Sequence, residues 1–149
     1  MGDKMIKKSG FTLIEILVVV VILGIIAAIV VPSFSDSGTQ VKTSALATDL
    51  RKVRTQIELY KFHHKDMLPA ASGETNAEFE QRLISQTDID GNAGTDYGPY
   101  MQRIPINPFN NFNTVRIDGA AAGANIDGWR FDTTTGAFQA DDSAVHAMF

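Results

Sequence analysis

Glu15 is a single carboxylate at the head of an apolar run that carries no charged or strongly polar residue from Ile16 to Val31. A charge there is costly to place in lipid unless it finds a partner. Gly10 and Phe11 stand just before it, where a short basic leader meets the apolar run. Cutting the Gly10–Phe11 bond creates an amine on Phe11, a cation of the right sign to meet Glu15 of another copy. The chemistry offered is one peptide hydrolysis followed by ion pairing between copies of the chain.

The element that positions these groups is a helix. Phe11 to Val31 is 21 residues, about 31 Å as a helix and enough for a bilayer core. Lys4, Lys7 and Lys8 precede it and favour a cytoplasmic amino terminus, with the remainder of the chain outside the inner membrane. Three processing schemes compete. A secretory signal is cut after its apolar stretch at a small-residue site, of which Ile26-Ala27-Ala28 is a poor version. An uncut anchor leaves Glu15 unpaired, at about 2.5–3.5 kcal/mol on insertion scales. A cut before the run keeps the helix and accounts for the Gly-Phe junction and Glu15 together.

The stretch Lys8-Ser-Gly10-Phe11-Thr12-Leu13-Ile14-Glu15, with the aliphatic run to Pro32, resembles the type IV pilin and type II secretion pseudopilin family. The resemblance implies cleavage between Gly10 and Phe11 by a prepilin peptidase and N-methylation of Phe11 by the same enzyme. It also implies an assembly role for Glu15, Phe11 and Thr12. Thr12 has a simpler alternative, a helix residue whose hydroxyl bonds its own backbone. Gly24 and Pro32 match the family pattern too. Pro32 lacks an N–H and crowds the preceding turn, so a helix kink is expected. That kink serves either bilayer exit and close packing or a segment that extends on entering a filament.

Beyond Pro32 the polar stretch Ser33 to Gln40 precedes a second amphipathic run. Leu46, Leu50, Val53, Ile57 and Tyr60 step by four and three, one face of a helix laid on a sheet. Leu59 and Phe62 are expected to broaden that face, and Arg54 with Glu58 to form an i,i+4 pair. His63 and His64 close the helix, where a basic group meets the carboxyl-end dipole. The expected organisation is a leader at 1–10, a transmembrane and filament-core helix at 11–32, its amphipathic half at 33–62, and a globular head at 63–149. The fold class is α+β: a long helix packed on a small antiparallel sheet, the pilin fold.

In the head, Thr75 to Ile84 reads as a short helix with a capping-box pair, Thr75 and Glu78. Asp88, Asp90, Asn92 and Asp96 place oxygen ligands in a pattern that suits Ca²⁺ weakly, because an EF-hand needs Gly and Glu where Ala93 and Pro99 stand. The alternative is an acidic turn. No other cofactor is indicated. Residues 100–111 resemble the loop before the sheet of the major pseudopilin, which carries an aromatic, a basic residue and Pro-x-Asp-Pro-Trp-Gly. Arg103, Pro105 and Pro108 match; Asn107, Phe109 and Asn110 stand for the Asp, Trp and Gly. This head loop either frames the sheet or contacts another subunit. Strands follow at 114–117, 128–132 and 137–140, with Trp129 and Phe131 on the buried face. The major pseudopilins carry a Gly- and Asp-rich calcium loop near the end of the chain; the tail here departs from that pattern and holds only Asp141 and Asp142.

The 149 residues hold no cysteine and carry a formal net charge of -4. Taking away Lys4, Lys7, Lys8 and Asp3 with the leader leaves 10 basic and 16 acidic side chains, a net of -6. An acidic head argues against nucleic acid as a partner. No Gly-rich phosphate loop or nucleophile elbow is present, and the three histidines lack an evident carboxylate or serine partner, so no enzyme is indicated. The function implied is a structural subunit of a helical, homo-oligomeric filament, a type II secretion pseudopilin supporting export of folded proteins. The partners implied are the inner membrane, the prepilin peptidase, minor pilins or pseudopilins and an assembly platform. The head would be periplasmic before assembly, and the product a periplasmic pseudopilus or a surface filament. Two alternatives stand beside it: a type IV pilin for adhesion, twitching or DNA uptake, and a membrane-anchored binding module that does not polymerise.

Overall fold

The computed structural model describes residues 10–149, the side chains of 29–37 excepted. The leader upstream of Gly10 lies outside the described residues. The element order is α1 (Leu13–His63), α2 (Asn76–Ile84), β1 (Val115–Ile117), β2 (Trp129–Phe131), β3 (Phe138–Ala140) and a one-turn 3₁₀ helix, η1 (His146–Met148). Two units divide this chain after Gln40, and α1 contributes to both.

In the first unit α1 is apolar all round from Ile16 to Val31, and the large apolar side chains described in this unit are exposed, from Leu13 at 85% to Val18 at 50%. Among the described residues no helix is long and apolar enough to cross a membrane. The end of the apolar run falls within 29–37, where side chains are not described.

In the second unit the later part of α1 buries the expected stripe: Leu46, Leu50, Val53, Ile57 and Tyr60 are each 1% exposed or less. They meet Phe79 and Leu83 of α2 and the sheet residues Val115, Trp129, Phe131, Phe138 and Ala140 in one core. Phe79 lies 4.9 Å from Phe131 between ring centroids, and Trp129 stacks on Phe138 at 5.4 Å. The stripe does not broaden as expected. Leu59 is 41% and Phe62 82% exposed, because at about 100° per residue both rotate away from the buried stripe. The Arg54–Glu58 pair does not form either. Arg54 Nε donates to the Phe138 carbonyl, while Glu58 accepts from Lys61 at 3.0 Å.

Thr75 caps α2: its N–H and hydroxyl both donate to Glu78 Oε2, at 2.5 and 2.6 Å, in the expected capping box. The next residue, Asn76, accepts the Val115 N–H on its side-chain oxygen at 2.7 Å and so ties α2 to β1.

The sheet is mixed, a correction to the antiparallel expectation. β2 and β3 pair antiparallel through the tight turn at Asp132–Gly136, but β1 and β2 pair parallel, with Val115 opposite Trp129 and Ile117 opposite Phe131. Parallel strands need a connection that travels back along the sheet. Residues 118–128 make that return without a helix, gathered around the buried carboxylate of Asp141. Gly123 and Ala124 donate their N–H groups to Oδ1, Ile126 and Asp127 donate theirs to Oδ2, and Asn125 donates to the Asp141 carbonyl. A run of small residues carries no periodicity, so the sequence gives no sign of the crossover.

Candidate functional site

The amino-terminal segment brings Thr12 and Glu15 together. Thr12 is the residue before α1, and its N–H and hydroxyl both donate to Glu15 Oε2, at 2.7 and 2.8 Å. The Glu15 N–H returns a bond to the Thr12 hydroxyl oxygen at 3.3 Å. This reciprocal capping box satisfies donors that a helix start leaves unpaired. It also places a negative group at the positive end of the helix dipole. Among the described residues Oε1 of Glu15 takes no hydrogen bond. Phe11 is 83% exposed and Gly10 is exposed and non-helical, so the junction between them is open to solvent. The Thr-x-x-Glu spacing that identifies the start of α2 also stands at 12–15, and it is the signal that sequence reasoning passed over. Gly24 faces open space, with no atom within 4 Å of where a Cβ would stand. The Pro32 side chain lies outside the described residues.

Asp88, Asp90, Asn92 and Asp96 lie in an irregular loop at 86–97. Asp88 Oδ1 accepts the N–H groups of Asp90 and Asn92 at 3.0 and 2.9 Å. The Asn92 N–H is the main cause that holds the Asp88 carboxyl below its ordinary value. Asp90 pairs with Lys65 at 3.1 Å. Among the described residues no cluster of three or more His, Asp or Glu side chains is arranged to hold a metal ion.

The head loop has no regular structure. Pro105 offers its carbonyl to the Trp129 indole N–H at 2.8 Å, and Pro108 is half-buried. Arg103 is exposed and lines a shallow 220 Å³ groove with Asp49, Lys52, Pro105 and Ile106. The residue that organises this loop is Asn107, fully buried. Its amide donates to the Gly128 carbonyl and to Asp142 Oδ1, both at 2.9 Å, and its side-chain oxygen accepts the Phe109 N–H at 2.9 Å. An Asn in place of Asp supplies the two donors that this position uses.

Of the three histidines only His146 has a carboxylate partner among the described residues, a correction to the sequence reading; His63 and His64 bond other groups. His64 is buried, with Nδ1 2.8 Å from the Tyr60 carbonyl and Nε2 2.9 Å from the Thr87 hydroxyl. A carbonyl only accepts, so Nδ1 carries the proton. His63 meets the Tyr100 hydroxyl at 3.0 Å. His146 pairs with Asp142 four residues earlier, and its ring lies tilted 4.1 Å from that of Phe109. Ser143 accepts the His146 backbone N–H rather than facing its ring nitrogen, so the pair lacks the geometry that activates a nucleophile.

Residues 5–31 match the family described as the prokaryotic N-terminal methylation motif. The chain is 32% identical over 105 residues to type II secretion system core protein G of Pseudomonas aeruginosa, covering 70% of each chain. It is 32% identical over 108 residues to the protein of the same name in Vibrio cholerae, covering 72% of this chain and 70% of that one. A fimbrial protein of Pseudomonas aeruginosa is 25% identical over 121 residues, covering 81% and 75%. No solved structure matches. With its methylation motif at the start of α1 and 32% identity over 70% of the length of these relatives, the chain belongs to the type II secretion system core protein G family, the major pseudopilins.

Proposed function

We propose that this chain is the structural subunit of a type II secretion pseudopilus, a helical filament that supports export of folded proteins. A prepilin peptidase cuts between Gly10 and Phe11 and methylates the new amine. The residues from Phe11 to Pro32 anchor the subunit in the inner membrane with the head periplasmic, and then pack as the filament core. An assembly platform and minor pseudopilins complete the machine. The subunit itself is not an enzyme. The observation that carries this reading is the Thr12–Glu15 box at the head of the exposed, apolar first stretch of α1. Helices apolar all round need an apolar partner or lipid.

The box lies entirely within the mature chain, so cleavage leaves it intact. Oε2 serves the chain's own Thr12, and Oε1 serves the Phe11 amine of a neighbour. A methylated amine stays cationic, so the modification preserves the pair. A subunit out of axial register would bury a lone charge, which costs about 3–5 kcal/mol. The fimbrial relative favours, as a second reading, a long surface pilus built on the same plan.

Filament yield separates these readings from a lone anchor. Glu15→Ala and Glu15→Gln should reach the membrane in normal amounts yet fail to enter filaments. Unchanged yield from either variant would remove the assembly role. The intact mass of assembled subunits should correspond to a chain that begins at methylated Phe11, and recovery in the sheared surface fraction would favour the surface pilus.

A further inference from the structure

Arg116 leaves β1 and turns its guanidinium into the return connection. Nη1 donates to the carbonyls of Asp118 and Ala120 at 2.9 and 2.6 Å. Nη2 donates to the Ala121 carbonyl at 3.4 Å and to Asp141 Oδ1 at 2.6 Å. Three backbone carbonyls and one carboxylate around a positive centre are the oxygen donor types that a hard cation such as Ca²⁺ gathers. Here the centre is a side chain. Arg116 is 13% exposed and Asp141 fully buried, so the pair is sheltered from solvent.

The same surroundings do not fit the calcium that the major pseudopilins carry. Calcium takes six to eight oxygens at about 2.3–2.6 Å and favours several carboxylates. This cage offers four oxygens, spread to the width of a planar fork. Its one carboxylate already accepts N–H groups from Gly123, Ala124, Ile126 and Asp127, donors that oppose a metal at those oxygens. Burial alone would raise the Asp141 carboxyl, but the Asp127 N–H, the Arg116 guanidinium and the Ile126 N–H outweigh it and hold the group ionised below its ordinary range.

Neighbouring carboxylates do not supply a second ligand. Asp118 accepts from the Thr133 N–H and hydroxyl, Asp127 from the Thr114 hydroxyl, and Asp142 from Asn107 and His146. The acidic loop at 88–96 is likewise committed to its own N–H groups and to Lys65.

We propose that Arg116 is the resident cation of this head, seated in the oxygen cage of the β1–β2 connection, and that the head folds and holds its loops without calcium. The placement rests on geometry within the head and does not depend on whether the chain assembles.

The test uses the full chain in detergent micelles. Its thermal unfolding is followed by near-ultraviolet circular dichroism at the single Trp129, with millimolar calcium or with a chelator in excess. The two midpoints should coincide, and calorimetry with calcium alone should give no binding heat. A midpoint raised by calcium, or one-to-one binding, would overturn the proposal. Arg116→Ala should lower the midpoint by several degrees and open residues 118–127 to limited proteolysis, and calcium should not restore either. Arg116→Lys keeps the charge without the fork and should fall between the two. An Arg116→Lys midpoint equal to the unaltered chain, with the loop still protected, would show that the fork is not what holds the cage. The calcium and chelator comparison on the unaltered chain decides the matter even where Arg116→Ala does not fold.

Discussion

Arg54 Nε donates to the carbonyl oxygen of Phe138 at 2.9 Å, joining the amphipathic part of α1 to β3 across 84 residues of sequence. The bond takes up a carbonyl on the strand's outer edge, and burial of the guanidinium lowers its pKa from the ordinary value. Arg54→Ala leaves that carbonyl without its partner. A charged donor to a carbonyl contributes about 1.5–3 kcal/mol, with the lower end expected for a half-buried pair. Equilibrium urea unfolding should show that loss, and Arg54→Lys should recover only part of it.

Leu50 lies within the buried face of α1 and Phe62 outside it. Leu50→Ala should cost about 2–5 kcal/mol, because Leu50 is 1% exposed in a core with no other support at that position. Phe62→Ala should change stability by less than about 0.5 kcal/mol, since Phe62 is 82% exposed. Paired denaturation curves check this contrast. A large loss at Phe62 would mean that the face extends beyond Tyr60.

The site explains where the sequence was legible. The stripe from Leu46 to Tyr60 was readable because a helix on a sheet imposes a period on its apolar residues. The alternation of Trp129, Arg130 and Phe131 was readable for the same reason, since it reports a half-buried strand. The methylation motif matched at residues 5–31 was readable because a lone carboxylate beside an apolar run demands a partner. Asn107 and Asp141 were not readable. Each acts on backbone groups of residues far away in sequence, and backbone groups leave no mark in composition. Leu59 and Phe62 misled because hydrophobicity alone does not tell a buried residue from its exposed neighbour one step around the helix. The parallel pairing of β1 was hidden for a different reason: its return connection is built from Ala, Gly and Asn, which fit either direction.

Gly128 tests the close approach between the head loop and the sheet. A Cβ there would collide with the Phe112 carbonyl, a backbone atom that cannot move aside as a side chain can. The Gly128 carbonyl also accepts from Asn107. Gly128→Ala should therefore destabilise the head by more than the loss of the Asn107 bond alone, about 1 kcal/mol. Comparing it with Asn107→Ala in the same denaturation series separates the two contributions.

Acid should unfold the head from one side. The Asp132 carboxyl falls from the ordinary value of 3.8 to about 2, held by the Thr135 N–H and the Arg130 guanidinium. Asp118 is lowered by the Thr133 N–H and hydroxyl, and Asp141 also lies below its ordinary value. Each group is ionised in the folded head at pH values where the unfolded chain is already taking up protons. Their contribution is therefore complete above the ordinary carboxylate value and is lost as pH falls through it toward the folded values. Unfolding midpoints measured from neutral pH down to about pH 2 should fall below pH 4, and Asp132→Asn should flatten part of that slope. A flat profile would show that these carboxylates bear no differential load.

The three strands hold three residues each, and each outer edge has a backbone group already taken by a side chain. On the β1 side the Val115 N–H is taken by the Asn76 side chain, and on the β3 side the Phe138 carbonyl is taken by Arg54. Long flat edges invite strand pairing between molecules. Strands this short, with edge groups already taken by side chains, offer no such template, so copies of this head can lie side by side without zipping into amyloid-like sheets.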